Sequence, residues 1–192
     1  DAVLLAWYPG EQGGHAVADI LFGKVSPSGR LPVTFYRSLS DLPAYDNYAM
    51  AGRTYRYYAG DVQYPFGYGL SYTQFEYHWA RKPSMPLTTT DTLRMVVAIK
   101  NNGSINGDEV VQAYVVYPAG ERMPVKELKA FSRIHVAKGD EKHVQLNIPL
   151  SELRKWDLLT SSWRIPEGNY SLEIGGHSRD VKLSFDISLA FQ

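Results

Sequence analysis

Leu93-Arg94-Met95-Val96-Val97-Ala98-Ile99-Lys100 decides how the larger part of this chain folds. Leu93, Met95, Val97 and Ile99 alternate with Arg94, Val96, Ala98 and Lys100. A period of two places the two sets on opposite faces of an extended strand. The same alternation returns downstream in Val111, Ala113, Val115 and Tyr117, in Val144, Leu146, Ile148 and Leu150, in Tyr170, Leu172 and Ile174, and from Val181 to Leu189. With Phe75–Trp79 and Leu128–Val136 this makes about seven short strands. Asn101-Asn102-Gly103, Lys138-Gly139-Asp140, Pro166-Glu167-Gly168 and Gly175-Gly176 supply turns between several of them. Short strands of this period with regular turns predict an all-β, immunoglobulin-like sandwich over residues 73–192.

Upstream of residue 73 the pattern changes. Ala2 to Tyr8 is a continuous apolar run, as in a strand covered on both faces. Pro9-Gly10 breaks it, and Glu11 to Phe22 reads as a helix with Val17, Ile20 and Leu21 on one stripe. Gly23 suits its C-terminal stop. Pro27-Ser28-Gly29 is a turn, and Leu31 to Phe35 is the next strand. A strand-helix-strand corner cannot close a core alone, because a parallel sheet needs further strands and helices on both faces. Residues 37–72 then hold eight of the 14 tyrosines with little periodicity. A segment of that length without regular structure is functional or wraps a neighbouring domain. The fold class is therefore mixed. Residues 1–72 form the end of an α/β domain plus an aromatic connecting segment, and 73–192 form the sandwich. Asp1 leads directly into the apolar run, which reads as a cut inside a larger protein.

Composition removes several classes of function. Twenty basic and 20 acidic side chains cancel, against the basic excess that a general nucleic-acid binder needs. There is no cysteine, hence no disulfide, thiol chemistry or cysteine-based zinc site. His15, His78, His135, His143 and His177 share no close metal-ligand spacing. No apolar stretch approaches the ~20 residues that span a bilayer, and none reads as a signal peptide.

Three groups of phrases carry a resemblance. The first is Ala6-Trp7-Tyr8-Pro9-Gly10-Glu11-Gln12-Gly13-Gly14, with Ala18-Asp19-Ile20-Leu21-Phe22-Gly23 and Pro27-Ser28-Gly29-Arg30-Leu31-Pro32. The second is Gly52-Arg53-Thr54-Tyr55-Arg56-Tyr57-Tyr58 with Tyr64-Pro65-Phe66-Gly67-Tyr68-Gly69-Leu70-Ser71-Tyr72-Thr73. The third is Asn101-Asn102-Gly103, Gly107-Asp108-Glu109-Val110-Val111-Gln112 and Pro124-Val125-Lys126-Glu127-Leu128-Lys129-Ala130-Phe131. Together, in this order, they closely resemble the C-terminal end of family 3 glycoside hydrolases, the β-glucosidases and β-xylosidases.

The resemblance implies an upstream β/α barrel, an α/β sandwich that ends in residues 1–72, and a fibronectin type III-like domain. It implies an exo-acting, retaining β-glycosidase with a nucleophilic Asp in the barrel and an acid/base Glu in the α/β sandwich. Neither carboxylate maps onto this chain. The nucleophile's Ser-Asp-Trp context is absent, and the acid/base Glu belongs upstream of the Trp7-Tyr8-Pro9-Gly10 phrase. The resemblance implies no cofactor or metal, and a secreted, periplasmic or cell-surface parent. Its partners are the upstream domains and, through them, a β-linked glycoside. The Gly52–Tyr58 phrase resembles β-xylosidase-type members more than some β-glucosidases.

Three residues are candidates for substrate binding. Glu11 sits after an apolar strand at a helix start, where ligands often bind. The plainer reading, a helix-start acid beside glycines that allow tight strand-helix packing, is the preferred one for Glu11. Arg53 and Tyr55, with Arg56, Tyr57 and Tyr58, form a cationic-aromatic patch. Such a patch suits a sugar subsite, or it cements the segment onto its neighbour with Arg stacked on Tyr. Alternation along an extended segment forbids all five from facing one site. Trp156-Asp157 and Trp163 lie near a strand-loop junction and are expected to pack in a core or hinge rather than to stack on carbohydrate. The rival function is a non-catalytic glycan- or protein-binding sandwich, which calls for aromatics exposed on one face or one loop cluster; a third is a structural spacer.

Overall fold

The computed structural model describes residues 2–85, 87–120 and 122–190. Asp1, read above as a cut, lies outside them. The sandwich is built as its alternation predicts. One sheet has the order β3-β4-β7, from Phe75–Arg81, Thr92–Asn101 and Glu141–Pro149. The other has the order β11-β10-β5-β6, from Leu183–Leu189, Gly168–Gly175, Gly107–Val116 and Lys126–Val136. Neighbours in both sheets are antiparallel. The inner faces meet in a continuous core that includes Leu93, Met95, Val97, Ile99, Val111, Val115, Leu146, Ile148, Leu172 and Ile174. Each such side chain taken fully out of water contributes about 1.5–3 kcal/mol. Tyr170, near the start of β10, donates its hydroxyl to the Pro166 carbonyl at 2.5 Å. Such a tyrosine corner is a hallmark of immunoglobulin-type sandwiches.

Between β7 and β10 the chain makes a two-stranded ribbon, β8 (Lys155–Asp157) with β9 (Ser162–Arg164). Trp156 and Trp163 lie directly opposite each other in it and are 50% and 64% exposed. They pack in no core, contrary to expectation. The ribbon stands outside both sheets, and half or more of each tryptophan is open to solvent.

The first 72 residues are open by comparison. Helix α1 spans Gly13–Leu21, within the predicted range, and contributes no buried residue. It stops as expected. Gly23 takes φ +71°, and the Lys24 N–H closes back on the Asp19 carbonyl at 2.8 Å. Residues 2–8 join no sheet, because no neighbouring strand is present to pair with them. Of the predicted Leu31–Phe35 strand only β1, Phe35–Tyr36, forms, and it pairs antiparallel with β2, Val62–Tyr64. The connecting segment also holds a 3-10 turn at Leu39–Asp41 and a short helical turn, α2, Thr54–Tyr57. None of its helices, nor any other among the described residues, is long and apolar enough to cross a membrane.

Candidate functional site

The polar chemistry of the chain gathers where the connecting segment meets the four-stranded sheet. Thr54 opens α2 with φ +54°, unusual for a β-branched residue. Its N–H donates to the Tyr36 hydroxyl at 2.7 Å. The bend aims Tyr55 and Arg56 at the sandwich. Tyr55 stacks on Phe66 at 4.2 Å and meets Tyr114 edge-on at 5.8 Å. Its hydroxyl accepts the Leu128 N–H at 3.0 Å. Burial is the main influence on this phenol and raises its pKa. Backbone hydrogen bonding continues the contact, with the Val125 N–H donating to the Arg56 carbonyl at 2.6 Å.

Arg56 reaches Glu127, the centre of the seam. This carboxylate is only 2% exposed. Arg56 lies 2.5 Å from it, Lys155 2.7 Å and Lys129 2.8 Å, and the Tyr117 hydroxyl donates to it at 2.7 Å. Strand pairing explains the convergence. The register between β5 and β6 slips after Ala113↔Ala130, with Tyr114 opposite Leu128, so Lys129 is the extra residue of a bulge. Burial by itself would raise the Glu127 pKa, but the hydrogen bonds from Lys129, Lys155 and Tyr117 outweigh it and hold the carboxyl at about 2. Lys155 is lowered, chiefly by burial, and also lies 4.5 Å over the Tyr117 ring.

A second buried carboxylate, Glu109, ties the seam closer to the first strand region. Arg30 Nη2 donates to both its oxygens at 3.1 and 3.2 Å, and the Tyr77 hydroxyl donates at 3.1 Å. Between the two carboxylates Gln112 donates to the carbonyls of Gly67 and Gly176, and Tyr114 donates to Gln112 at 2.5 Å. Gly67 is required here. It sits at φ +82°, and a Cβ would come within 2.2 Å of the Gln112 side-chain oxygen.

The three predicted site residues are not brought together. Glu11 is exposed ahead of α1, and no hydrogen bond or ion pair joins it to Arg53 or Tyr55. Arg53 turns to its own loop, donating to the carbonyls of Ala49 at 3.0 Å, Ala44 at 3.5 Å and Asn47. Tyr55 is spent on the sandwich. The residues that sequence reasoning missed as a site are spread along the chain: Arg30 before β1, Glu109 on β5, Glu127 and Lys129 on β6, and Lys155 on β8. The available signal was local. Lys126-Glu127-Leu128-Lys129 in a strand puts a carboxylate on an alternating face beside apolar neighbours. A clefted space of about 350 Å³ lies along the seam, lined by Thr34, Tyr55, Tyr58, Val125 and Arg179 among others. Among the described residues no group of three or more His, Asp or Glu is placed to hold a metal.

The fold and the seam define a two-part chain, a fibronectin-type sandwich bonded through buried ion pairs to the segment that precedes it. Comparison with known proteins gives the family. A model of the glycosyl hydrolase family 3 C-terminal domain matches residues 1–72, and one of the fibronectin type III-like domain matches 109–178. A xylan 1,4-beta-xylosidase of Xylanibacter ruminicola is 40% identical over 95% of this chain, and beta-glucosidase B of Emericella nidulans is 34% identical over all of it. The chain spans 21% and 25% of the length of these two relatives. Among solved structures, beta-glucosidase 3B from Thermotoga neapolitana in complex with alpha-D-glucose superposes with a TM-score of 0.83 at 35% identity, over 96% of this chain and 27% of that one. Beta-glucosidase from Kluyveromyces marxianus in complex with glucose gives 0.85 at 32% identity, over 96% and 24%. The chain belongs to glycoside hydrolase family 3 and matches the C-terminal portion of its enzymes.

Proposed function

We infer that this chain is the scaffold and docking end of an exo-acting, retaining β-glucosidase or β-xylosidase, with the catalytic Asp and Glu upstream. Residues 1–72 complete the α/β domain of that enzyme, and 73–192 form a sandwich that fixes its end in place. The observation that carries this reading is the contrast between the two parts. The sandwich core is closed, whereas Val3, Tyr8, Leu21 and Phe22 are 83%, 100%, 66% and 83% exposed. Apolar surface on that scale in one run calls for a partner. The relatives are β-glycosidases of which this chain spans 21% and 25%, a length that leaves room for an upstream barrel and α/β layer as that partner. Glu11 lies on this uncovered side. We propose it, with Arg53 and Tyr55, no nearer to substrate than the edge of a subsite.

The test is hydrolysis of aryl β-glucosides and β-xylosides. The chain alone should give no turnover, and adding the upstream part should restore it. Turnover by the pure chain would place a catalytic carboxylate within these residues and defeat the assignment; Glu11→Gln would then be the first variant to make.

A further inference from the structure

The ribbon β8–β9 carries a surface that neither the sandwich core nor the seam accounts for. Trp156 and Trp163 leave the same face of the ribbon, and their rings meet edge to face at 5.8 Å and 72°. The other face anchors the ribbon. Lys155 reaches inward to Glu127 at 2.7 Å, and Arg164 pairs with Asp157 at 3.4 Å. Asp157 also accepts the N–H groups of Leu159 and Thr160 at 2.8 and 3.3 Å, which ties the turn. The indoles are therefore held out on a rigid support. They differ from residues 2–50 in belonging to a chain segment whose neighbouring sandwich has a closed core of its own.

Rigid, half-exposed tryptophans present large apolar faces with a polar N–H, at little entropy cost to a ligand. The C–H faces of β-linked pyranoses are flat and apolar, and in a soluble chain successive faces are turned relative to one another. Two indoles near a right angle make a corner that fits such a twisted chain. A flat crystalline polysaccharide needs coplanar rings instead. Arg154, just before β8, and Thr160 and Ser161, in the turn of the ribbon, are exposed residues of types that can bond sugar hydroxyls.

We propose that Trp156 and Trp163 form a binding corner for soluble β-1,4-linked gluco- or xylo-oligosaccharides. The choice of sugar class rests on reading the parent as a β-glycosidase. The corner meets the requirement set for a glycan-binding sandwich, aromatics exposed in one loop cluster.

The test is calorimetric titration of the 192-residue chain with cellohexaose and xylohexaose. Saturable binding is expected, weakened about tenfold or more by Trp156→Ala and by Trp163→Ala, the loss typical of an aromatic anchor. Trp163→Phe should retain part of it, and unchanged melting of all variants shows that the fold is intact. Absence of saturable binding at millimolar oligosaccharide overturns the proposal, as does binding that ignores both alanine substitutions. Equal or stronger retention on microcrystalline cellulose overturns the corner geometry. Concentration-dependent dimerisation abolished by the same substitutions, without sugar binding, assigns the patch to a protein interface instead. Aryl glycosides carry one sugar and have no need of the corner, so failure of the hydrolysis test and failure of this titration are separate results.

Discussion

Glu127 places one negative charge among Arg56, Lys129 and Lys155, all within 2.8 Å, and away from water. Its carboxyl is held at about 2 against an ordinary 4.5. A depressed folded-state pKa gives stability that is fully present above the unfolded value and is lost as pH falls toward the folded one. The loss therefore runs from about pH 4.5 down to 2 and amounts to at most about 3 kcal/mol. Thermal melts of the chain should show this acid-side fall, and Glu127→Gln should flatten it. Removing the carboxylate also strands three cations, so Glu127→Gln should destabilise at neutral pH by about 3–5 kcal/mol. Equal melting of wild type and variant from pH 7 to pH 3 would show that the cluster does not stabilise the seam.

At the scale of elements, α2 is too short to hold itself, since an isolated turn of helix is unfavourable in water. Its conformation comes from what Tyr55 and Arg56 bind. Tyr55→Phe removes the hydroxyl that accepts the Leu128 N–H and should cost about 1 kcal/mol. Tyr55→Ala also removes the stacking on Phe66 and the contact with Tyr114, and should cost about 3–5 kcal/mol. Hydrogen exchange at Val125 and Leu128 reports the docking directly. Both amides should lose protection in Tyr55→Ala, and unchanged protection there would mean the turn docks without its tyrosine. Gly67→Ala strains the other end of the same contact, where the backbone stands at φ +82°.

The whole molecule joins a closed sandwich to an open corner. The isolated chain is expected to self-associate through the apolar run 2–8 and the outer face of α1. Deleting residues 1–29 should reduce association in sedimentation while leaving the main melting transition in place. Deleting residues 1–72 should lower that transition, because Arg30, Tyr55, Arg56 and Phe66 leave with the deletion. A 73–192 protein that melts as the full chain does would make the seam passive. Residues 73–192 have their own core, so the expected result is a cooperative but less stable fold.

The strands were legible because their information is local. Alternation in Leu93–Lys100 or Val144–Leu150 needs only a burial face to become a strand, and every apolar position of these two runs that the pattern assigned inward is buried. The stop of α1 at Gly23 was legible for the same reason, since a left-handed residue is a property of the chain itself. The apolar run 2–8 reads as strand too, but a strand exists only with a partner, and among the described residues none pairs with it. Tertiary structure alone decided the rest. Glu109 and Arg30 are 79 residues apart, and no period joins them. A one-residue bulge at Lys129 sets which charges surround Glu127, and bulges leave little trace in a pattern of apolar residues. The tryptophans of β8 and β9 show the limit most plainly. Their composition favoured a core, and only the placement of the ribbon outside both sheets left them facing water.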